Sequence, residues 1–147
     1  LLATATTFAA SSGSFTITGT VSAVNDIVIT PNAANQNSLP IVAGGSNINV
    51  ASVQETSNDL NGYKIYMKSL YGSKLTHTSG SYSTGYTVNY DGGAAVTLTT
   101  ADQLVKTSPA LTGLTVDTSL VNVNVTAYPT APAGTYSDTI TISIVGL

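Results

Sequence analysis

Apolar and polar residues alternate with period two along most of the chain. Phe15, Ile17, Val21 and Ala23 share one parity, Thr16, Thr18, Thr20 and Ser22 take the other, and Ile27 and Ile29 keep the apolar parity up to Pro31. Ile48 and Val50 alternate with Asn47 and Asn49, and Tyr63, Ile65 and Met67 alternate with Lys64, Tyr66 and Lys68. Tyr86, Val88 and Tyr90 lead into Asp91-Gly92-Gly93, after which Val96 and Leu98 resume the pattern. Val121, Val123, Val125 and Ala127 oppose Asn122, Asn124 and Thr126, and Ile140, Ile142 and Ile144 oppose Thr139, Thr141 and Ser143. Strict alternation marks a half-buried strand, and the Thr, Val, Ile and Tyr that carry it suit a pleated surface. No segment longer than a few residues has an apolar stripe at helical spacing.

The pattern predicts about seven or eight short strands, divided by turn-forming clusters. Asn61-Gly62, Gly72-Ser73, Asp91-Gly92-Gly93 and Pro132-Ala133-Gly134 are of the expected turn type. Thr99 to Val105 reads as a short helical turn with Thr100 as its cap. Such spacing implies an all-β sandwich with one polar face per sheet. No internal repeat or linker divides the chain. The expected organisation is an N-terminal extension over residues 1–12, with a boundary as late as residue 18, followed by one domain over residues 13–147.

Composition narrows the function. Only 7% of the 147 residues are charged, against about 25% in an ordinary soluble protein. Thr, Ser, Asn and Gly fill the gap, since the hydrophobic share is an ordinary 42%. Charge keeps monomers apart, so a nearly uncharged surface suits a protein packed against its own copies. The four cations are all Lys and the net charge is −3, which leaves no patch to neutralise nucleic-acid phosphates. Apolar runs fall far short of the ~20 residues of a membrane span. Cysteine is absent, which excludes disulfides and thiolate metal sites.

Candidate chemistry is sparse. His77 is the only histidine, and it lies in a polar run, Lys74-Leu-Thr-His-Thr-Ser-Gly-Ser81, that reads as a solvated loop with nothing to orient a triad. Metal binding at His77 lacks partner ligands. The seven acids, Asp26, Glu55, Asp59, Asp91, Asp102, Asp117 and Asp138, fall mostly at expected turns and strand ends, where they accept local backbone hydrogen bonds. Asp59-Leu-Asn-Gly62 has neither the ligand spacing nor the terminal Glu of a calcium loop. Asn124-Val125-Thr126 is an N-glycosylation acceptor triplet on the polar face of its strand. Tyr63, Tyr86 and Tyr90 sit on apolar strand faces and are expected in the core rather than on a sugar-binding platform. Neither an enzyme nor a cofactor-dependent protein is expected.

Three segments carry a family resemblance. Ala131-Pro-Ala-Gly-Thr-Tyr-Ser-Asp-Thr-Ile-Thr-Ile-Ser-Ile144 resembles the closing strand of the spore coat protein U family and of archaic chaperone–usher pilins. Asn58 to Ser69 is similar to their mid-domain strand after an Asn-Gly-Tyr turn, and Phe15 to Pro31 is similar to the pilin start at its Gly-Thr-Val step. Those pilins commonly carry a Cys near the position of Asp26 or Ile27, which this chain lacks. The resemblance implies an immunoglobulin-like sandwich short of one strand, completed by a donor strand from a neighbouring subunit. It further implies an acceptor groove at Val21, Ile27, Ile140, Ile142 and Ile144, although the isoleucines equally suit an ordinary complete core. The donor strand would use Leu1, Leu2, Ala3, Ala5, Phe8 and Ala9, with its inward parity open.

The implied function is an extracellular pilus or fimbria subunit, a head-to-tail homopolymer at the cell surface serving adhesion or biofilm formation. An assembly chaperone and outer-membrane usher would be partners. The alternative is a monomeric secreted sandwich that binds carbohydrate or a surface partner.

Overall fold

The computed structural model describes residues 3–4 and 11–147. Its first strand, β1 (Asn25–Pro31), pairs antiparallel with β2 (Gly45–Ser57), and between them lies one helical turn, α1 (Ala33–Gln36). The remaining strands are β3 (Tyr63–Ser69), β4 (Lys74–His77), β5 (Ser83–Tyr90), β6 (Gln103–Thr107), β7 (Thr115–Val125), β8 (Tyr136–Ser137) and β9 (Ile140–Gly146). They form two antiparallel sheets, one ordered β1-β2-β7-β5-β4-β8 and the other β6-β3-β9. β1 ends the larger sheet and β9 ends the smaller.

The alternation seen in the sequence is the alternation of burial. In β3, Tyr63, Ile65, Met67 and Ser69 are buried while Lys64, Tyr66 and Lys68 are half-buried. In β5 the buried set is Thr84, Tyr86, Val88 and Tyr90, and in β7 it is Ser119, Val121, Val123 and Val125. Side chains on successive residues point to opposite faces, so these sets meet between the sheets. They pack with Val53, Leu75 and Leu98 into one core. The three tyrosines expected inside are inside.

The turns follow their residues. Gly62 has φ +92, and a Cβ there would lie 2.5 Å from the Pro109 carbonyl, so only glycine fits the Asn61-Gly62 turn. Asp91 and Gly92 both have positive φ (+50 and +71), as a mirror-image hairpin turn requires, and Gly93 N–H closes it on the Tyr90 carbonyl at 2.8 Å.

Four expectations fail. Phe15 to Ala23 joins no strand: residues 11–24 have no regular structure, and the first strand begins at Asn25. The cause is the partner, because β2 ends at Ser57 and the chain turns off through Asp59 to Gly62. Thr99 to Val105 makes no helical turn, since Gln103 to Thr107 is taken as an edge strand by β3. Thr99 N–H is bonded by the Gln103 side chain instead (2.7 Å). Val96 makes a single bridge to Val88, with no strand through Leu98. His77 closes β4 rather than sitting in a loop. Among the described residues no helix is long and apolar enough to cross a membrane.

Candidate binding groove

A groove of about 700 Å³ opens between the free edge of the larger sheet and the free edge of the smaller. Ile29 and Pro31 of β1 form one wall and Ile140 and Ile142 of β9 the other. Val50, Ala51, Val121 and Val123 form the floor. The loop residues Leu39 and Ile41 and the segment Gly134–Asp138 also line it. The two walls run in opposite directions and converge at one end. There Gly146 approaches so closely that a Cβ on it would lie 2.5 Å from Asn25 Nδ2 and 2.6 Å from Asp59 Oδ2.

Both walls carry inward apolar residues that nothing among the described residues covers. Residues directly opposite in an antiparallel pair share a face of the sheet. Ile144 lies opposite Ile65 and Ile142 opposite Met67. Ile65 and Met67 are 0% exposed, whereas Ile142 and Ile144 are only half-buried. The same holds across the slot: Val53 is 0% exposed and its partner Ile29 is 42% exposed. Among the described residues, the outer backbone edges of β1 and β9 join no strand in either sheet. A cleft flanked by two open edges accepts an extended chain by adding hydrogen bonds on both sides.

The wall at Gly134–Asp138 explains the last motif of the sequence. Asp138 accepts hydrogen bonds from Ser69 Oγ, from Tyr86 OH (2.8 Å), and from the backbone N–H groups of Tyr71 (3.1 Å) and Thr139 (2.7 Å). Those bonds hold the step where the chain leaves one sheet for the other. Gly134 has φ +152, and a Cβ there would fall 1.9 Å from His77 Nε2. The His77 ring accepts from Ser79 N–H at Nδ1 (3.0 Å), lies 3.2 Å from the Ala133 carbonyl at Nε2, and meets the Tyr136 ring edge-on. It braces the groove wall.

The predicted site residues separate. Ile140 and Ile142 line the groove, and Ile27 and Ile144 lie on the same inward faces near its closed end. Val21 does not: it is 90% exposed, in the segment ahead of β1. Phe15 and Ile17 are 86% and 83% exposed in that same segment. Of the expected donor residues, Ala3 is exposed, while Leu1, Leu2, Ala5, Phe8 and Ala9 lie outside the described residues. Asn124 donates from Nδ2 to Thr87 Oγ1 (3.0 Å) and Asn89 Oδ1 (2.7 Å), so its glycan-accepting nitrogen is held in a ladder of side chains across the sheet.

Sequence reasoning missed a polar cluster at the closed half of the sandwich. Glu55 is fully buried, receives the phenol protons of Tyr63 (2.6 Å) and Tyr90, and lies 2.8 Å from Lys106 Nζ. Lys106 reaches from β6 to Asp117 (2.8 Å), Asp91 (3.0 Å) and Ser119 (2.9 Å), joining the two sheets. Burial pushes the Glu55 carboxyl up, but the hydrogen bonds from Lys106, Tyr63, Tyr90 and Ser119 outweigh it and hold the carboxyl below its ordinary value. Burial lowers the Lys106 ammonium, and Asp117, Glu55 and Asp91 more than reverse that. The available signal was a Glu placed at an inward position of its strand, two residues after Val53.

Neither a protein-family model nor a curated protein matches the chain.

Proposed function

We propose that this chain is the subunit of an extracellular filament, in which the N-terminal extension of one copy fills the groove of the next. The observation that carries the reading is a complementarity within one molecule. The groove is an apolar slot between two edges that are unpaired among the described residues, and the same chain carries an exposed segment, Gly13 to Ala23, whose Phe15, Ile17 and Val21 alternate with Thr and Ser. Inserted as a strand, that segment sends one parity into the slot and the hydroxyl parity outward. This moves the inserted stretch C-terminal to the Leu1–Ala9 expected from sequence. Burying Phe15, Ile17 and Val21 contributes about 1.5–3 kcal/mol each, and the backbone bonds to both edges add to it. Pairing of this kind uses two different surfaces and does not close, so it propagates as a fibre.

A low-charge surface and the likeness of three segments to spore coat protein U and archaic chaperone–usher pilins support the same reading. On that likeness the filament serves adhesion or biofilm formation, with a chaperone and an outer-membrane usher as assembly partners.

The test is deletion of residues 1–24. The full chain is expected to give high-molecular-weight ladders and filaments in electron micrographs, and the deleted chain a monomer. A synthetic peptide of residues 11–24 should stabilise that monomer by about 2.7 kcal/mol at a hundredfold excess over its Kd. Filaments from the deleted chain, or no response to the peptide, would sink the proposal.

A further inference from the structure

An extension that fits a neighbour's groove also fits its own, and a chain that fills itself cannot polymerise. We infer that Asn58 is a positioning residue that holds the extension pointing out of its own domain, so that the groove remains open for a second copy. The inference rests on the donor-strand reading above.

The geometry is a strand continued by a side chain. β1 and β2 are in register from Pro31 opposite Ala51 to Asn25 opposite Ser57. The next pair is Val24 and Asn58, and Asn58 N–H donates to the Val24 carbonyl at 3.2 Å. In an antiparallel pair the return bond comes from the opposite N–H to the backbone carbonyl. Here the Asn58 side-chain oxygen replaces that carbonyl, accepting from Val24 N–H at 2.7 Å. The backbone of β2 then turns away through Asp59. Asn58 Nδ2 supplies the missing donor, bonding the Ser22 carbonyl at 2.8 Å. One amide side chain thus carries the ladder past the end of β2.

The clamp is itself braced. Ser57 Oγ donates to Asn25 Oδ1 (2.8 Å) and accepts from Asp59 N–H (3.1 Å), fixing the residue before Asn58 and the residue after it. Ser22 to Val24 therefore leave in line with β1 and away from Pro31, where the groove opens. To enter its own groove the chain would have to reverse direction before Asn25 and return along the free edge of β1. Thr20 to Val24 contains no glycine to take the positive φ of a tight reversal. The β-branched Thr20 and Val21 oppose it further. Reversal at Ser22 to Val24 would also break the bonds of those residues to Asn58. A turn at Gly19 would spare them but part Phe15 and Ile17 from Val21, so that the segment could not enter as one strand. Phe15, Ile17 and Val21 stay in solvent, available to a neighbour.

The test uses Asn58→Ala in the full chain and a labelled peptide of residues 11–24 as a probe of the groove. Asn58→Ala is expected to lower the polymer fraction on the order of tenfold, the scale set by two lost hydrogen bonds. Its monomer should refuse the peptide and protect residues 11–24 from protease, because its own extension now fills the slot. A residue that merely stabilised the fold would give neither result. Asn58→Asp keeps the acceptor for Val24 but loses the donor to Ser22, and should give an intermediate polymer fraction; it serves if the alanine variant does not fold. Polymerisation of both variants at the wild-type level would overturn the inference, as would a variant monomer that still binds the peptide. The parent reading fails separately, if the chain lacking residues 1–24 does not bind the peptide at all.

Discussion

Glu55 would be an expensive residue to bury alone. Removing a carboxylate from water costs several kcal/mol unless its charge is paired and its oxygens are bonded. Two phenols and the Lys106 ammonium meet that need, and among the described residues no buried side-chain polar atom lacks a partner. Lys106→Met leaves the Glu55 charge without its counter-ion and should cost about 3 kcal/mol in chemical denaturation. The pH dependence has a definite sign. Glu55 and Asp117 have lowered carboxyl pKa values, so their contribution is present above the carboxylate range and is lost as pH falls. Lys106 is raised, so its contribution holds below the ordinary lysine range and is lost as pH rises through the folded value. Stability should therefore be flat from about pH 6 to 9 and fall on the acid side. In Lys106→Met the Glu55 and Asp117 carboxyls lose the bond that holds them low, so the acid-side loss of stability should shrink, as read by unfolding midpoints across a buffer series. An unchanged acid limb would mean that the pair contributes nothing.

β1 and β9 are the elements on which the proposed function turns, since each is an edge strand with one apolar face half covered. Ile142 and Val145 make a matched comparison within β9. Ile142 lines the groove, whereas Val145, of opposite parity, is 50% exposed on the outer face. Ile142→Asp places an uncompensated charge in a slot that must become dry, costing several kcal/mol of strand insertion. Val145→Asp should leave insertion within about 0.5 kcal/mol of the parent. Peptide titration of the chain lacking residues 1–24 measures both, and equal effects would remove the groove from consideration. β3, β5, β7 and β9 were legible in the sequence because each alternates strictly. β4, β6 and β8 were not: they hold four, five and two residues, too few to establish a period, and Lys74–His77 is polar enough to read as loop. Phe15 to Ala23 alternates as well as any strand, but whether it joins a sheet depends on where β2 stops, which no local pattern records. The groove was half legible. Parity placed Ile140 and Ile142 on an inward face and only the resemblance assigned them to a groove, while Leu39, Ile41 and Val50 come from segments with no common signature and meet only in three dimensions.

At the scale of the whole molecule, the proposed assembly is directional, because each copy has one slot and one strand on different surfaces. Its two halves can be disabled separately. A chain lacking residues 1–24 accepts but cannot donate, and full-length Ile142→Asp donates but cannot accept. Each alone should remain monomeric. Each added in small amounts to the parent chain should shorten filaments, since its incorporation blocks growth at one end. Mixed with each other, the two variants have one compatible contact, the extension of the Ile142→Asp chain in the groove of the truncated chain. They should give a one-to-one heterodimer and no larger species, as read by sedimentation or by the mass of the eluted complex. Assembly through a symmetric surface would behave otherwise, because identical patches on both variants would pair each with itself as readily as with the other. Homodimers of either variant, or ladders from the mixture, would therefore exclude head-to-tail strand insertion whatever the parent chain forms.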